Sequence, residues 1–364
     1  MVSPYDLSVY GGVQGQVSGL SAARGALGHD VVVVAPGARA GSGPTVTVGR
    51  AVGVRANGSV APVSISPAAA VRAARVVRDP TIDVVHLHEP LAPVINYGCL
   101  LAARQPIVGT FHRNGTSSLY RVLAPAARFA LGRLAARCAV SEAARDNVAS
   151  LGGHYEVLFN GVDVDRFADA VPTPTHAATV LFVGRHEPRK GLAVLLDAFG
   201  SLGQPAVLWI AGSGPATAEL RRRYPPSETL QWLGVITDEE KAARMAGADV
   251  FCAPSLGGES FGMVLLEAMA AGCALVASDI DGYRAAALDH ARLVEPGDPA
   301  ALATALDETL SDAAAARGLS SAEAHGSARR RAEEWSMARL AGRYVEIYER
   351  VLAERGNRAA QAHG

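Results

Sequence analysis

The chain has 364 residues, 34 Lys and Arg against 35 Asp and Glu, a net charge of −1, and 49% hydrophobic against 19% charged residues. That is about twice a usual domain of ~150 residues, so two domains with separate cores are expected. The near-neutral balance argues against binding nucleic acid by bulk electrostatics, and no apolar stretch reaches the ~20 residues of a membrane-spanning helix.

The N-terminus, MVSPYDLSVYGG, has neither the basic region nor the apolar run of a secretory signal. A cytoplasmic protein is expected, with peripheral contact to the inner face of the membrane left open. A first strand of a doubly wound sheet needs about five residues ahead of its glycine loop. Here only MVSPY precedes YGGVQGQV (10–17). Either the central strand is short, or Met1 is an internal methionine of a longer chain; we favour the second.

Short β-branched runs follow at 31–36, 81–88, 106–112, 138–141 and 155–161, separated by alanine-rich helical segments. The alternation predicts βαβ units and a parallel sheet. After the polar stretch VPTPTHAAT (171–179), a second series runs through 179–185, 206–212, 230–234, 249–254 and 273–279. The fold class is therefore α/β, with two Rossmann-like domains joined by a linker near 165–178. The cleft at the carboxyl ends of the strands is the expected binding site. SARRRAEEWSMARLAGRYVEIYERVLAERG (327–356) has helical periodicity, with Trp335, Met337, Leu340, Tyr344, Ile347, Tyr348 and Val351 approximating one face. Cys99, Cys138, Cys252 and Cys273 lie far apart with no metal-like spacing, and read as buried free thiols.

The chemistry concentrates in GGESFGMVLLEAMAAG (257–272). A helix start offers unpaired N–H groups and partial positive charge to an anion such as phosphate. Gly257, Gly258 and Gly262 would let a ligand approach the backbone. Glu259, just before the helix, can accept hydrogen bonds from hydroxyl groups. Glu267 lies two turns further on among apolar neighbours, where a carboxylate needs a partner. A diphosphate on the helix start, with a sugar at each end, would use all of these features. VGRHEPRKG (183–191) follows a strand and supplies Arg185 and Lys190, two cations able to neutralise a diphosphate. The loop YGGVQGQV lacks the full G-x-G-x-x-G pattern and is weak by itself; a plain tight turn would look the same.

These residues resemble a known family. GGESFGMVLLEAMAAG is similar to the E-x7-E motif of retaining GT-B glycosyltransferases of family 4, and VGRHEPRKG to that family's Gly-Arg-x4-Lys-Gly phosphate motif. The likeness runs the length of the chain, through YGGVQ, HLHEP (86–90), GTFH (109–112), VSE (140–142) and NGVDVDRF (160–167). Within the family it is fullest toward the branch that mannosylates phosphatidylinositol, carried by SPYDLSVYGGVQ, NGSVA (57–61), HLHEPLAP, NGVDVDRFADA and CAPSLGGESFG.

The resemblance implies a GT-B architecture with a C-terminal helix crossing back to the first domain. Residues 1–167 with 338–364 would bind the acceptor, and 168–337 the nucleotide sugar. It implies transfer of mannose from GDP-mannose to phosphatidyl-myo-inositol with retention of configuration, no required cofactor or metal, and a monomer acting at a membrane surface. Arg185, Lys190, Glu259 and His112 would be the catalytic set: a clamp on the leaving diphosphate, a carboxylate on the sugar hydroxyls, and an imidazole near the sugar 6-hydroxyl. Gly12, Asp238, Lys241, Phe261, Gly262 and Glu267 would bind the donor, with Glu267 on the ribose and Asp238 on guanine. Tyr5, Gln14 and Asn57 would line the acceptor side. A lone histidine at a strand end can equally be structural. Of His86 and His88 at most one is expected to face the cleft, and neither reads as a metal ligand.

The acceptor half departs from the pattern. Pro62 stands where that branch carries a basic residue, and the segment after GTFH offers only Arg113 as a cation. Arg72, Arg75 and Arg78 could form a stripe for anionic lipid headgroups or a plain solvated face. Three alternatives stand beside the main reading: a family 4 enzyme with another donor or acceptor, a sugar-nucleotide epimerase, and a silent homologue that only binds.

Overall fold

The stretch MVSPY, short as it is, takes the centre of a sheet. In the computed structural model, which describes all residues except 10, 38–43, 57–58, 113–123, 260, 317–321 and 362–364, Val2 bridges Val34 on one side and Leu87 on the other, both in parallel. The Val2 amide donates to the His86 carbonyl at 2.8 Å and the Ser3 amide to the Val34 carbonyl at 2.8 Å. This one-residue bridge joins β1 (Val33–Ala35) and β2 (Thr45–Thr47) to β5 (Val85–His88), β6 (Ile107–Phe111), β7 (Ala136–Ala139) and β8 (Glu156–Val157), all parallel. A separate antiparallel hairpin, β3 (Val52–Ala56) and β4 (Ser59–Val63), meets Tyr5 through a bridge at Val63.

The chain divides into two compact units, Met1–Gly161 with Met337–Gly364, and Val162–Ser336. In the first unit, side chains alternate across the sheet as strand geometry requires. Leu87, Ile107 and Phe111 join one core with helices α2 (Pro67–Val76), α3 (Ile95–Ala102) and α4 (Ala124–Gly132). Val108 and Cys138 face the other side, toward α1 (Gly12–Ala26) and the C-terminal helix Met337–Gln361. The apolar stripe expected on that helix is what it buries: Leu340, Tyr344, Ile347, Tyr348 and Val351 are all under 10% exposed. Helix α5 (Glu142–Ala149) completes the unit, its first turn capped by Ser141 Oγ accepting from the Ala144 amide.

In the second unit the described sheet runs β11 (Leu230–Gly234), β10 (Val207–Ala211), β9 (Thr179–Val183), β12 (Val250–Ala253), β13 (Ala274–Ser278), β14 (Ala291–Val294), all parallel. Val180, Phe182, Leu208, Ile210 and Val276 pack on one face with α7 (Leu192–Phe199), α8 (Thr217–Arg223) and α12 (Pro299–Ala316). Leu181, Trp209, Phe251 and Leu275 pack on the other, with α6 (Val164–Ala168), α9 (Asp238–Gly247), α10 (Met263–Ala271) and α11 (Asp281–Ala287).

The first expected boundary moves. The polar stretch near 165–178 does not join the units, because Val162, Val164 and Phe167 pack in the second core and the Thr173 amide donates to Ala243. The division falls at Gly161, not 167. The periodic C-terminal run is broken into α13 (Ala322–Glu334) and α14 (Met337–Gln361), where Ser336 leaves the helix to bridge Val162. Helix α2 ends at Val76, so Arg78 lies beyond it and the three-arginine stripe is not continuous. Arg72 is tied down as well, its Nε donating to the Val48 carbonyl at 2.6 Å. All four cysteines are free and buried, and burial pushes the Cys99 and Cys138 thiols up to about 12.

Candidate active site

Helix α10 starts without a side-chain cap and without an acidic residue in its first turn. Its cap, Gly262, has φ +75, and a Cβ there would lie 2.6 Å from Tyr283 Cδ1. Both the backbone conformation and the packing therefore demand glycine. Tyr283 is fixed under the turn by its hydroxyl, 2.8 Å from Ser255 Oγ, and burial followed by the nearby Glu259 charge raises its pKa. Among the described residues no side chain caps these N–H groups, and an exposed helix start of this kind suits an anion.

Four residues ahead of the helix, Glu259 meets the other motif. Lys190 Nζ donates to Glu259 Oε1 at 2.5 Å, and Arg189 Nη1 donates to the same oxygen at 3.0 Å. Arg189 Nε reaches Glu187 at 3.1 Å, and Arg185 Nη2 reaches that carboxylate at 2.9 Å. Three cations and two carboxylates alternate, leaving one positive charge in excess. Arg185, Lys190 and Glu259, singled out from sequence, are thus in one network; Glu187 and Arg189, which lie in the same motif, were missed. Lys190 is held where it is by Gly191, which has φ +69 and whose Cβ would come within 1.8 Å of the Pro254 carbonyl oxygen. This close approach of the β9 loop to the end of β12 needs a residue without a side chain.

Glu267 has the partner its apolar neighbourhood calls for. Lys241 Nζ donates to Glu267 Oε1 at 2.9 Å and lies 3.6 Å from Asp238 Oδ1. Asp238 opens helix α9, capped by Thr237, and accepts from Arg166 Nη1 at 3.3 Å. Lys241 is buried while Asp238 is 42% exposed at its side chain. Asp238, Lys241 and Glu267, singled out from the sequence, therefore lie together, with Asp238 the member open to solvent. Phe261 packs against Trp335 with tilted rings whose centroids are 4.0 Å apart, which holds the turn ahead of the helix.

The first unit carries the remaining candidates. Gly12 is the first residue of α1, and a Cβ there would meet nothing within 4 Å, whereas one at Gly11 would lie 2.3 Å from Gln14 Oε1. Gln14 is buried against this turn. Gln16, not singled out from sequence, pins the helix by exchanging two hydrogen bonds with the Gly161 backbone at 2.9 and 2.8 Å. Tyr5 pairs with Val63, and its amide donates to Ser3 Oγ at 3.1 Å. Asn57 lies outside the described residues.

His112 follows β6 and is half-buried; burial pushes its imidazole down to about 3. Its Nε2 is 2.9 Å from His88 Nδ1. His86 and His88 are two residues apart on one strand, so they share a face, and their rings stack with centroids 4.3 Å apart. Residues i and i+2 of a strand lie on the same side, so strand periodicity does not separate the two rings. Among the described residues no group of three or more His, Cys, Asp or Glu could hold a metal ion.

With this geometry in view, the chain was compared with known proteins. Residues 10–166 match the model of Glycosyltransferase Family 4, and residues 177–312 that of Glycosyl transferases group 1. The chain is 40% identical to a phosphatidyl-myo-inositol mannosyltransferase of Mycobacterium leprae, over 96% of each chain. It is 41% identical to one from Mycobacterium tuberculosis, again over 96% of each. In fold it resembles a sucrose-phosphate synthase of Thermosynechococcus elongatus, with a TM-score of 0.73, 21% identity and 97% and 98% of the two chains covered.

Proposed function

We infer the reaction from one premise: the chain belongs to glycosyltransferase family 4, in the company of the phosphatidyl-myo-inositol mannosyltransferases, and its fold is GT-B. It is a glycosyltransferase, and the reaction we propose is transfer of mannose from GDP-mannose to phosphatidyl-myo-inositol with retention of configuration. The observation that carries this reading is the convergence of Lys190, Arg189 and Glu259 at the open start of α10, with Glu267 held on the same helix by Lys241.

In this reading the diphosphate lies on the backbone N–H groups of Phe261 and Gly262, just ahead of the helix. Arg185 and Lys190 take up the charge that builds on it as the sugar–phosphate bond weakens, which is where preorganised cations lower a barrier most. Glu259 then turns its oxygens to the sugar hydroxyls, and Glu267 to the ribose. The solvent-facing Asp238 carboxylate accepts from the guanine N1 and N2 hydrogens. Gly12, whose Cα is unobstructed, lets a phosphate approach the first helix. His112 meets the sugar, and Tyr5, Gln14 and Asn57 receive the acceptor. With the charge met by side-chain cations and helix dipole, the chemistry assigned to these residues needs no metal.

Among the described residues no helix is long and apolar enough to cross a membrane. A lipid acceptor would therefore be met at the bilayer surface. The test is a panel of radiolabelled nucleotide sugars, each with and without phosphatidylinositol vesicles. Label from GDP-mannose entering the lipid phase only with phosphatidylinositol is the expected result. Label entering a water-soluble product, or from a UDP-sugar, would overturn the assigned acceptor or donor. Interconversion of the free nucleotide sugar would indicate an epimerase.

A further inference from the structure

Three imidazoles stand in a row, two along β5 and one just beyond β6. His86 stacks on His88 at 4.3 Å, and His88 on His112 at 5.1 Å. His86 is anchored at both nitrogens, Nδ1 to the Tyr348 hydroxyl at 2.7 Å and Nε2 to the Thr110 hydroxyl at 2.8 Å. Thr110 in turn meets the Tyr344 hydroxyl at 2.8 Å. His88 differs from its neighbour. It is 1% exposed, its Nδ1 faces His112 Nε2 at 2.9 Å, and its Nε2 has no hydrogen-bond partner among the described residues.

We propose that His88 is a positioning residue: it sets the tautomer of His112, so that His112 Nδ1–H becomes a fixed hydrogen-bond donor toward an oxygen of the transferred sugar. This rests on the reading of His112 as a sugar contact. The argument is one of proton accounting. Both rings are neutral, because burial disfavours their charged forms. One proton is shared in the contact between His88 Nδ1 and His112 Nε2. If His112 supplied it, His88 would carry its own proton on Nε2, a buried N–H without an acceptor. Orphaned buried N–H groups are rarer than under-satisfied acceptors. If His88 supplies it from Nδ1, only a lone pair is left unpaired at Nε2. His112 must then hold its proton on Nδ1.

The backbone keeps the two rings in place. Asn96 Nδ2, itself fully buried, donates to both the His88 carbonyl at 2.8 Å and the Glu89 carbonyl at 2.7 Å. Glu89 is held at φ +52, a strained conformation for a residue with a side chain, and its carboxylate accepts from the His112 amide at 2.6 Å. Strain of this kind persists only where the surroundings over-determine it, as three hydrogen bonds do here. A ring whose orientation and proton are both fixed costs no reorganisation when charge or hydroxyls arrive.

The test uses the full chain, labelled with nitrogen-15 at histidine, in long-range proton–nitrogen correlation spectra at neutral pH. His112, assigned from the His112→Ala variant, should show its proton on Nδ1. In His88→Leu it should move toward the Nε2–H form, with kcat lowered roughly tenfold and KM for the nucleotide sugar little changed, a part of the ~10²–10³ that outright loss of a positioned donor costs. His88→Asn, whose amide can place an N–H where Nδ1–H stood, should restore the tautomer and most of the rate. A wild-type His112 protonated on Nε2 would overturn the proposal, as would a folded His88→Leu with unchanged His112 signals and kcat. Full turnover in His112→Ala would instead overturn the sugar-contact reading beneath it. A His112→Ala without activity, together with an unaffected His88→Leu, would sink only the role of His88.

Discussion

Lys190 and Glu259, 69 residues apart in the chain, share a hydrogen bond of 2.5 Å at the foot of α10. The cation assigned to the diphosphate and the carboxylate assigned to the sugar thus neutralise each other, with Arg189 as a second donor to the same oxygen. Donor binding must exchange these contacts for contacts to the ligand. Removing Lys190 leaves Glu259 with Arg189, so the fold should survive Lys190→Ala. Turnover should fall by roughly 10²–10³, as expected for loss of a charge that stabilises the leaving group. Steady-state rates beside a thermal melt check both halves; a folded variant with near-normal rate would make Lys190 a surface charge only.

The Lys241–Glu267 pair offers a cleaner energetic test. Lys241 is buried, and deleting its charge strands a partly buried carboxylate. Lys241→Met should weaken GDP binding about tenfold, or ~1.4 kcal/mol. Glu267→Gln should weaken it similarly, and the double variant should cost less than the two together. Strict additivity in calorimetric titrations would show that Lys241 acts on the nucleotide without Glu267.

Asp238 is assigned to guanine, so GDP should bind more tightly than UDP. A site built to accept two base N–H groups rejects a base that lacks them. Asp238→Asn should narrow the difference. Equal affinities in the unmodified chain, or a preference for UDP, would remove GDP-mannose as donor.

Much of this site could be read from the chain alone, and the exceptions have separate causes. Glu267 sat among apolar residues and needed a partner; Lys241 lies one helix away and supplies it. The strands at 207–211, 250–253 and 274–278 were continuous apolar runs, as buried parallel strands are. Strand β14 was not legible, because Asp289, His290, Arg292 and Glu295 interrupt an edge strand that pairs on one side only. The His88–His112 contact was hidden for a different reason. It depends on the register that sets His88 opposite Thr110, which places His112 just beyond the strand end. Register is a property of two segments, and neither segment states it.

The glycines separate folding from function. Ala at Gly191 would sit at φ +69 with its Cβ 1.8 Å from a backbone oxygen, and Ala at Gly262 at φ +75 against Tyr283. Both variants should melt far earlier or fail to fold. Gly12→Ala meets nothing within 4 Å and adds a better helix former. Its Tm should hold or rise slightly while turnover drops, if a phosphate must approach there. Unchanged turnover in Gly12→Ala would remove that glycine from the donor site.

Acid should weaken the first unit. His112 has its folded pKa lowered from 6.5 to about 3, and His86 and His88 are lowered well below 6.5, in each case first by burial. The unfolded chain therefore binds more protons than the folded one between those limits. The stability these groups contribute is full above pH 6.5 and is lost as the pH falls from there toward the folded values. Melting temperature should decline from neutral pH toward about pH 5 with a slope that His112→Asn makes shallower. An identical slope in that variant would show that other groups carry the acid sensitivity.

The break between α13 and α14 has a consequence for engineering. Val162 and Ser336, the first and last residues of the second unit, lie side by side as a parallel bridge, and the Val162 amide donates to the Trp335 carbonyl at 2.8 Å. On the other side of each crossing, a Cβ at Gly161 would touch the Met337 backbone at 2.8 Å. The second unit is therefore an insertion whose two ends meet, and the first unit is a chain interrupted at a single point. An insertion of this topology costs its host little loop-closure entropy, however long it is, because folding brings its ends together. A gene for 162–336 could be lifted out and its flanks rejoined by a few residues, which makes this the natural seam for exchanging the second unit for its counterpart from a related chain.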